Sequence, residues 1–546
     1  MYMQGLANFI DDFLGGLMII SYALVVGSVL WTFFILKVAS AQRAADSILL
    51  SSAKVLHLGA IALATTVGLK LVIKGAVLAG TLGELPLAAY AGTVQFQAGL
   101  LRFILAIGYI FVARKLLQQP GTTRAWHIAA ALTVPLVISG AWLVHAVGRF
   151  EFRVPLMMAT VVHQLAAAVW FGCVAQLLAL WYSARKDAAS KELWPHAIAR
   201  FAGLGMTSVI LLLCTGIPLT WVYVGSIDGL FGTGYGSLIV TKVWLLFVAL
   251  GFAYLNNQAG RRWLKNQQNA GMINKVPFYI EAETFILVGV LFIAATLSSQ
   301  PPSVDIPDRT AQVSEVINMF MPRLPRVTSP SHEALLAGEA GRVAVVNKIP
   351  SEAARDWSDY NHNIAGMFLT VMGVLAMMGY MKRFGWTRYW PLGFVGLGIF
   401  LFFRSDAETW PLGPIGFWES TFKNGEVFQH RIATLLALVL GYLELKARTN
   451  PDAKKLPYMF PMLCAFGGIL LLTHAHAEFE LKSEFLIQST HTTMGLLAVI
   501  MASGRWLELR LVTPEGRLEG KIAGFTAFFA MFLIGAIMMF YREPLY

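Results

Sequence analysis

Residues 279–298 read YIEAETFILVGVLFIAATLS, an almost wholly apolar run. As a helix, a run of about 20 such residues crosses the roughly 30 Å hydrocarbon core of a bilayer. Similar runs recur along the whole chain of 546 residues, which is 57% hydrophobic and has a mean hydropathy of +0.62. Because backbone groups inside lipid must be hydrogen-bonded within their own segment, the sequence predicts an all-α, polytopic transmembrane helical bundle.

About 14 spans are expected, and the first is expected to be a retained helix because no Lys or Arg precedes it. A polar segment at 299–361 separates an eight-span half from a six-span half. The predicted spans are 14–36, 53–73, 98–116, 127–147, 158–182, 202–225, 238–256, 279–298, 363–380, 390–403, 429–446, 458–475, 488–504 and 522–541.

The formal net charge of +11 is best explained by membrane topology. In a soluble protein this charge would raise the question of nucleic acid, but here Lys and Arg lie at the ends of predicted helices. With the N-terminus outside, seven inside loops hold 25 of the 42 basic residues, at least three in each. Cytoplasmic loops carry such an excess. The sequence therefore predicts an N-out/C-out protein whose partner is the lipid bilayer, with no nucleic acid.

The cysteines do not indicate a metal or disulfide site. Cys173, Cys214 and Cys464 are isolated within predicted spans, with no CxxC spacing.

The histidines are distributed unevenly, because eight of the 11 fall at or near the predicted outer face. Three of them lie in THAHAEFELKSEFLIQSTHTTMG (473–495). A single interfacial histidine is usually unremarkable, but a group of eight on one side favours a binding role.

Imidazole is a common ligand of copper, zinc and haem iron, and thioether sulfur favours Cu(I). We expect one outer site at His474, His476, His491 and His430, and a second at His163 and His145. Residues i and i+2 of a helix diverge by about 200°. His476 can therefore join His474 only if the helix breaks at Ala475. The full set of candidate metal ligands is His474, His476, His491, His430, His163, His145, His362 and Met494.

Several motifs follow one another in order between residues 155 and 303. This succession resembles the CopD (PcoD) family of copper resistance and copper uptake membrane proteins. The matching features are His163, Trp170–Gly172, Arg200–Phe201, Thr215–Gly216, Thr233-x-Tyr235–Gly236, Lys242, Asn256, Glu283 and Pro301–Pro302.

The second half resembles longer, fused members of that family. The matching features are Gln429-His430-Arg431, Thr473-His474-Ala475-His476, Lys482 to Glu484, Thr490-His491 and RWLELRL at 505–511. Ala475 departs from the pattern, since Ser is more usual there. The resemblance and the polar segment together divide the chain into amino-terminal transmembrane helices at 1–154, a CopD-like core at 155–303, a periplasmic linker or cap at 304–361 and a six-span domain at 362–546.

The resemblance implies copper handling at the bacterial inner membrane, commonly with a periplasmic copper carrier of the CopC type. We therefore expect a multi-pass inner-membrane protein that binds copper through outer-side histidines and translocates it. Glu283 and Lys242 are expected within spans, as charge partners or proton-linked groups.

Two alternatives remain open. A b-type haem protein that transfers electrons across the membrane would use His145 with His163 near one face and His57 with His127 near the other. The chain could instead be a structural subunit of a larger copper or respiratory membrane complex. No nucleophile–base pair, phosphate loop or carboxylate dyad indicates catalysis, so we expect the protein not to be an enzyme.

Overall fold

The computed structural model describes residues 2–40, 43–266, 273–339, 351–407, 409–450, 452–473, 482–514 and 516–544. Within these ranges the chain is helical and contains no strand, apart from an isolated bridge between Thr409 and Ile415. The helices of the first part are α1 Tyr2–Phe34, α2 Asp46–Leu82, α3 Leu87–Ala91, α4 Val94–Gln118, α5 Thr123–Ile138, α6 Arg153–Ala184, α7 Ala188–Val224, α8 Ile227–Phe231, α9 Gly234–Lys265 and α10 Val276–Ser299. Those that follow are α11 Val313–Met319, α12 His332–Glu339, α13 Glu352–Met378, α14 Leu392–Arg404, α15 Phe417–Lys423, α16 Gly425–Thr449, α17 Met459–Leu472, α18 Lys482–Arg510 and α19 Arg517–Met539.

The described residues form 11 helices that are long and apolar enough to cross a membrane. This confirms the predicted all-α, polytopic bundle. Three of the predicted spans fall outside that set, at 390–403, 429–446 and 458–475. Of their helices, α14 and α17 have only 13 and 14 residues, and α16 carries several charged side chains. The total of 14 spans and the N-out/C-out orientation stay predictions.

The chain divides into two compact units. The amino-terminal unit comprises Ile10–Tyr223 and Leu246–Ser299, and so contains most of α1, α2 to α7 and α10. The carboxy-terminal unit comprises Met1–Phe9, Val224–Leu245 and Gln300–Tyr546.

In the amino-terminal unit, α1 and α6 approach so closely that only glycine fits where they cross. A Cβ on Gly172 would collide with the carbonyl oxygen of Ala23, and a Cβ on Gly27 would collide with the backbone of Gly172. One turn further along α6, the Gln176 amide donates to Ser28 Oγ over 2.6 Å. Gly172 of the motif Trp170–Gly172 therefore has a packing role.

In the carboxy-terminal unit, part of the polar segment after α10 is folded against the bundle. The amide of Ala311 donates to the carbonyl of Gly232 over 2.9 Å. Glu315 of α11 forms an ion pair with Lys482 at 2.6 Å, at the start of α18. Val316 and Met319 of α11 pack on a buried cluster made by Ala311, Phe485 and Leu486. The helix α11 is thus fixed to α18, the helix that carries His491.

Candidate functional site

Two histidines from different helices meet in the carboxy-terminal unit. His362 lies in the third turn of α13, and His491 lies in the third turn of α18. Their ring centroids are 5.8 Å apart, and the ring planes are nearly perpendicular at 86°. Both side chains are partly buried. Of the predicted metal ligands, these two are brought into direct ring contact.

Hydrogen bonds to the main chain set the tautomer of both rings. His362 Nδ1 is 2.9 Å from the carbonyl oxygen of Ser358, and His491 Nδ1 is 3.0 Å from that of Ile487. A carbonyl oxygen can only accept, so Nδ1 carries the proton and Nε2 is the basic nitrogen of each neutral ring. Histidines that bind metals commonly donate their other N–H in this way.

Residues near the carboxy-terminus of the chain contact His362 and the start of α13. The Tyr541 ring, which is 1% exposed, lies with its centroid 4.2 Å from that of His362. The Tyr541 hydroxyl donates to the Glu543 carboxylate over 2.8 Å, and Ser358 Oγ donates to the same carboxylate over 2.7 Å. The Glu543 amide donates to Asp359 over 2.6 Å. These contacts fix residues 541–543, which we call the carboxy-terminal strap, to the start of α13.

Met494 follows His491 by three residues in α18 and is 3% exposed. Residues three apart lie on the same face of a helix. Met494 therefore lies on the same face of α18 as His491. In the described residues, no three His, Cys, Asp or Glu side chains are grouped as they would be around a metal ion.

His430, at the start of α16, lies against Asp406, and their side chains are 2.9 Å apart. Burial raises the pKa of Asp406, but attraction to His430 and the hydrogen bond from its ring outweigh this and hold the pKa below its usual value. The neighbouring Arg431 donates to the carbonyl of Trp410 over 2.8 Å. The sharing of one site by His430 and His491 stays a prediction.

His474 and His476 lie outside the described residues, which end at Thr473 after α17 and resume at Lys482. Their predicted part in an outer site, and the proposed break at Ala475, therefore stay predictions.

In the amino-terminal unit, His163 of α6 contacts the Thr215–Gly216 pair of α7. The His163 Nδ1 atom is 2.9 Å from Thr215 Oγ1, whose hydroxyl donates to the carbonyl of Leu211 over 2.6 Å. His163 Nδ1 is therefore the donor to Thr215. A Cβ on Gly216 would lie 3.1 Å from the His163 ring, closer than ordinary contact. The pair therefore sets the tautomer of His163 and leaves space for its ring.

The helix predicted to connect His127 with His145 ends early. Helix α5 stops at Ile138, and His145 lies in a separate 3-10 turn at His145–Gly148. His127 is exposed and bonds through Nδ1 to the carbonyl of Thr123, whereas His145 Nε2 is 3.3 Å from the carbonyl of Leu297. The candidate span thus runs from Thr123 to Trp142 through the 3-10 turn Ser139–Trp142, and His145 lies three residues beyond its end instead of within a span that reaches residue 147. His57 lies on α2, and its Nδ1 is buried with no hydrogen-bond partner within the described ranges.

Three residues of the family pattern meet around one buried carboxyl. Glu283 of α10 is 1% exposed. Its Oε1 accepts from the Trp170 indole over 2.9 Å, and its Oε2 accepts from the Asn256 amide over 2.9 Å. We expected Glu283 and Lys242 to be charge partners or proton-linked groups. The carboxyl accepts from two neutral donors, and its link to Lys242 stays a prediction.

The Thr233–Gly236 motif has a structural role at the start of α9. Thr233 Oγ1 donates to the carbonyl of Gly229 over 2.7 Å and accepts from the amide of Gly236 over 3.0 Å. The same hydroxyl lies 2.7 Å from that of Ser303. The motif therefore fixes the polar segment after α10 to the first turn of α9.

The charge pattern of the sequence did not reveal one cluster of ion pairs. Arg448 and Arg505 are among the 25 basic residues that the sequence predicts in inside loops, and in the structure they lie in α16 and α18. Arg448 pairs with Glu444 at 2.7 Å, and Arg505 pairs with Glu508 at 2.5 Å. The hydroxyl of Tyr380 donates to Glu508 over 2.6 Å. The i,i+4 and i,i+3 spacings of these pairs are visible in the sequence and could have indicated the cluster.

Comparisons with known proteins agree with the resemblance to the CopD family. Residues 195–297 match the family model described as Copper resistance protein D. Copper transport protein CutJ of Bacillus subtilis (strain 168) is 24% identical over 228 residues, which are 42% of this chain and 40% of that protein. The chain thus spans about 40% of the length of this curated relative. No solved structure matches. The likeness of the second half to longer family members lies outside residues 195–297, which match the family model.

Proposed function

We propose that this CopD-family copper resistance membrane protein binds copper at His362 and His491 and moves the ion across the membrane. One observation supports this site above the others. The two rings lie 5.8 Å apart on different helices, and main-chain carbonyls set the tautomer in which Nε2 is the basic nitrogen. Neutral imidazole with such a backbone partner is the form that binds copper.

Met494 is proposed as the thioether ligand of the same ion, and the strap as the element that orients His362. His474 and His476 are further candidates on sequence grounds, because they precede α18 in the chain. His163, held by Thr215, is proposed as a second copper ligand, in the helix that precedes the matched family region.

The proposed location is the bacterial inner membrane, with the His362–His491 pair on the periplasmic side. The positive-inside pattern supports this orientation. The segment after α10 is proposed as the docking surface for a periplasmic carrier of the CopC type. Its helix α11 is attached to α18 by the Glu315–Lys482 pair, close in sequence to His491. In this proposal the protein is a transporter and not an enzyme.

Neither alternative has a comparable observation in its favour. A haem b site needs imidazoles from facing helices, and of its predicted ligands His163 donates to Thr215 while His127 lies on an exposed face and bonds to the carbonyl of Thr123. The described residues offer no feature that favours a structural subunit of a larger complex. A visible spectrum of the purified protein without a Soret band, together with bound copper by elemental analysis, is the expected result.

The site is tested by replacing both histidines, His362→Ala with His491→Ala. Elemental analysis of the purified double variant is expected to show the loss of the copper bound at this site, and vesicles that contain it should no longer take up copper. His127→Ala is the matched control, because His127 has the same Nδ1 bond to a carbonyl one turn earlier but lies on an exposed face. Unchanged copper content and uptake in the double variant would refute the proposed site.

A further inference from the structure

The carboxyl of Glu283 lies in a span and is surrounded by neutral partners. It is 1% exposed, and its two oxygens accept from the Trp170 indole and the Asn256 amide, each over 2.9 Å. Within the described part of the amino-terminal unit, no Lys or Arg pairs with it. An ionised carboxylate is expensive to keep in such a place, and carboxyl groups inside spans often mark proton relays.

The other titratable groups on the packed helices have different partners or positions. Glu281, two residues earlier in α10, accepts from the Tyr182 hydroxyl of α6 over 3.1 Å. Helix α6 also carries His163, Cys173 and Tyr182, and α10 carries Tyr279. Helix α9 carries Tyr254 and, towards its carboxy-terminal end, Arg261, Arg262 and Lys265. Asp11, Asp12 and Lys70 lie near the opposite end of α10, where Asp12 bonds to Ser299. No charged group among them faces Glu283.

Asn256 can form a hydrogen bond with this carboxyl in both of its protonation states. Its Nδ2 donates to Glu283 Oε2, while its Oδ1 is buried with no hydrogen-bond partner among the residues described. Rotation of the amide by half a turn exchanges the two atoms. Oδ1 would then accept the O–H of a protonated Glu283. Ionised and protonated Glu283 thus each find a partner at the same side chain.

Helix α6 connects this carboxyl to the candidate copper ligand of the same unit. His163 and Trp170 are seven residues apart, which places them on nearly the same face of α6 and about 10 Å apart along its axis. His163 contacts Thr215, and Trp170 contacts Glu283. A change at either end can therefore be transmitted through α6.

We propose that Glu283 is a proton-binding residue coupled to copper movement, with Asn256 as the partner that changes orientation when the proton binds. This inference rests on the proposed function, because it assigns the proton-linked group of the same transport process. No bond other than that to the proton is made or broken at Glu283.

The test measures copper uptake into vesicles as a function of pH for the wild type, Glu283→Gln and Glu281→Gln. A process limited by one proton changes by up to about tenfold per pH unit. The wild type and Glu281→Gln are expected to show this dependence, and Glu283→Gln is expected to show uptake that is independent of pH. Glu281→Gln is the matched control because Glu281 is a similarly buried carboxyl in the same turn of α10. A Glu283→Gln profile identical to that of the wild type would overturn the inference.

Infrared spectroscopy tests the protonation itself and does not depend on transport. In pH-difference spectra, the wild type and Glu281→Gln should share one carboxylic-acid carbonyl band that is missing from Glu283→Gln. The same band in all three proteins would overturn the inference. Wild-type vesicles that take up no copper at any pH would contradict the proposed translocation instead, and the infrared band would then decide alone whether Glu283 binds a proton.

Discussion

The imidazole of His362 lies edge-on to that of His491, with ring centroids 5.8 Å apart and planes at 86°. One ring comes from α13 and the other from α18, so the pair forms only when the carboxy-terminal unit is folded. Since each Nδ1 bonds to a carbonyl of its own helix, the helices themselves orient both rings. Such preorganisation reduces the entropy that copper binding must overcome.

The carboxy-terminal strap should tune copper affinity without supplying a ligand. Tyr541→Ala removes the ring that lies 4.2 Å from that of His362, so His362 should lose its fixed orientation. Loss of such supporting partners lowers metal affinity by about 10- to 100-fold. Copper titration of the purified variant measures this change. Tyr541→Phe keeps the ring but loses the hydroxyl bond to Glu543, and it should fall between the wild type and Tyr541→Ala. Equal affinities in all three proteins would show that the strap does not position His362.

Gly172 should tolerate no side chain. In Gly172→Ala the new Cβ would meet the carbonyl oxygen of Ala23, and such overpacking typically costs about 1–3 kcal/mol of unfolding free energy. Gly251 of α9 is the matched control, because a Cβ there meets nothing within 4 Å. Gly251→Ala should be neutral or stabilise the helix by up to about 1 kcal/mol. Thermal unfolding in detergent compares the two variants, and equal midpoints would contradict the close approach of α1 and α6.

The Glu315–Lys482 pair should hold α11 on α18 in a manner that depends on pH. Burial raises the pKa of Glu315, but the hydrogen bond and the attraction from Lys482 outweigh it and lower the pKa from its usual 4.5. Because the folded-state pKa is depressed, the stabilisation is present above pH 4.5 and is lost as the pH falls through the folded-state value. Because the pair is partly exposed, it contributes at most about 1 kcal/mol to the free energy of unfolding.

Hydrogen exchange in α11 measures this effect. At neutral pH, α11 amides of Glu315→Gln should exchange faster than those of the wild type, and the difference should disappear at a pH well below 4.5. Glu419→Gln, which removes the Lys423 pair of α15, is the control and should leave α11 unchanged. A difference between the wild type and Glu315→Gln that persists at low pH would show that the carboxylate charge is not the cause.

Helix class and most spans follow from local pattern, because lipid imposes the same length and polarity on every span. The end of α5 at Ile138 does not follow from local pattern. Its apolar pattern continues past Ile138, whereas the end is stabilised by a contact from another helix, the 2.9 Å bond from Arg102 Nε to Ser139 Oγ.

The candidate site was predictable in its parts but not in its arrangement. The charge pattern placed His362 and His491 at one face, yet only the packing of α13, α19 and α18 brings these rings together. Likewise, the family pattern contains Trp170, Asn256 and Glu283 as separate matches, and the hydrogen bonds between them depend on three helices that are distant in sequence.

The most direct test of the copper site is X-ray absorption at the copper edge of the copper-loaded protein. The wild type should show two imidazole ligands and one sulfur ligand, from His362, His491 and Met494. Met494→Leu should lose the sulfur contribution alone, and His362→Ala with His491→Ala should lose the signal of this site together with its bound copper. A copper spectrum in the double-histidine variant that is identical to that of the wild type would contradict the proposed site.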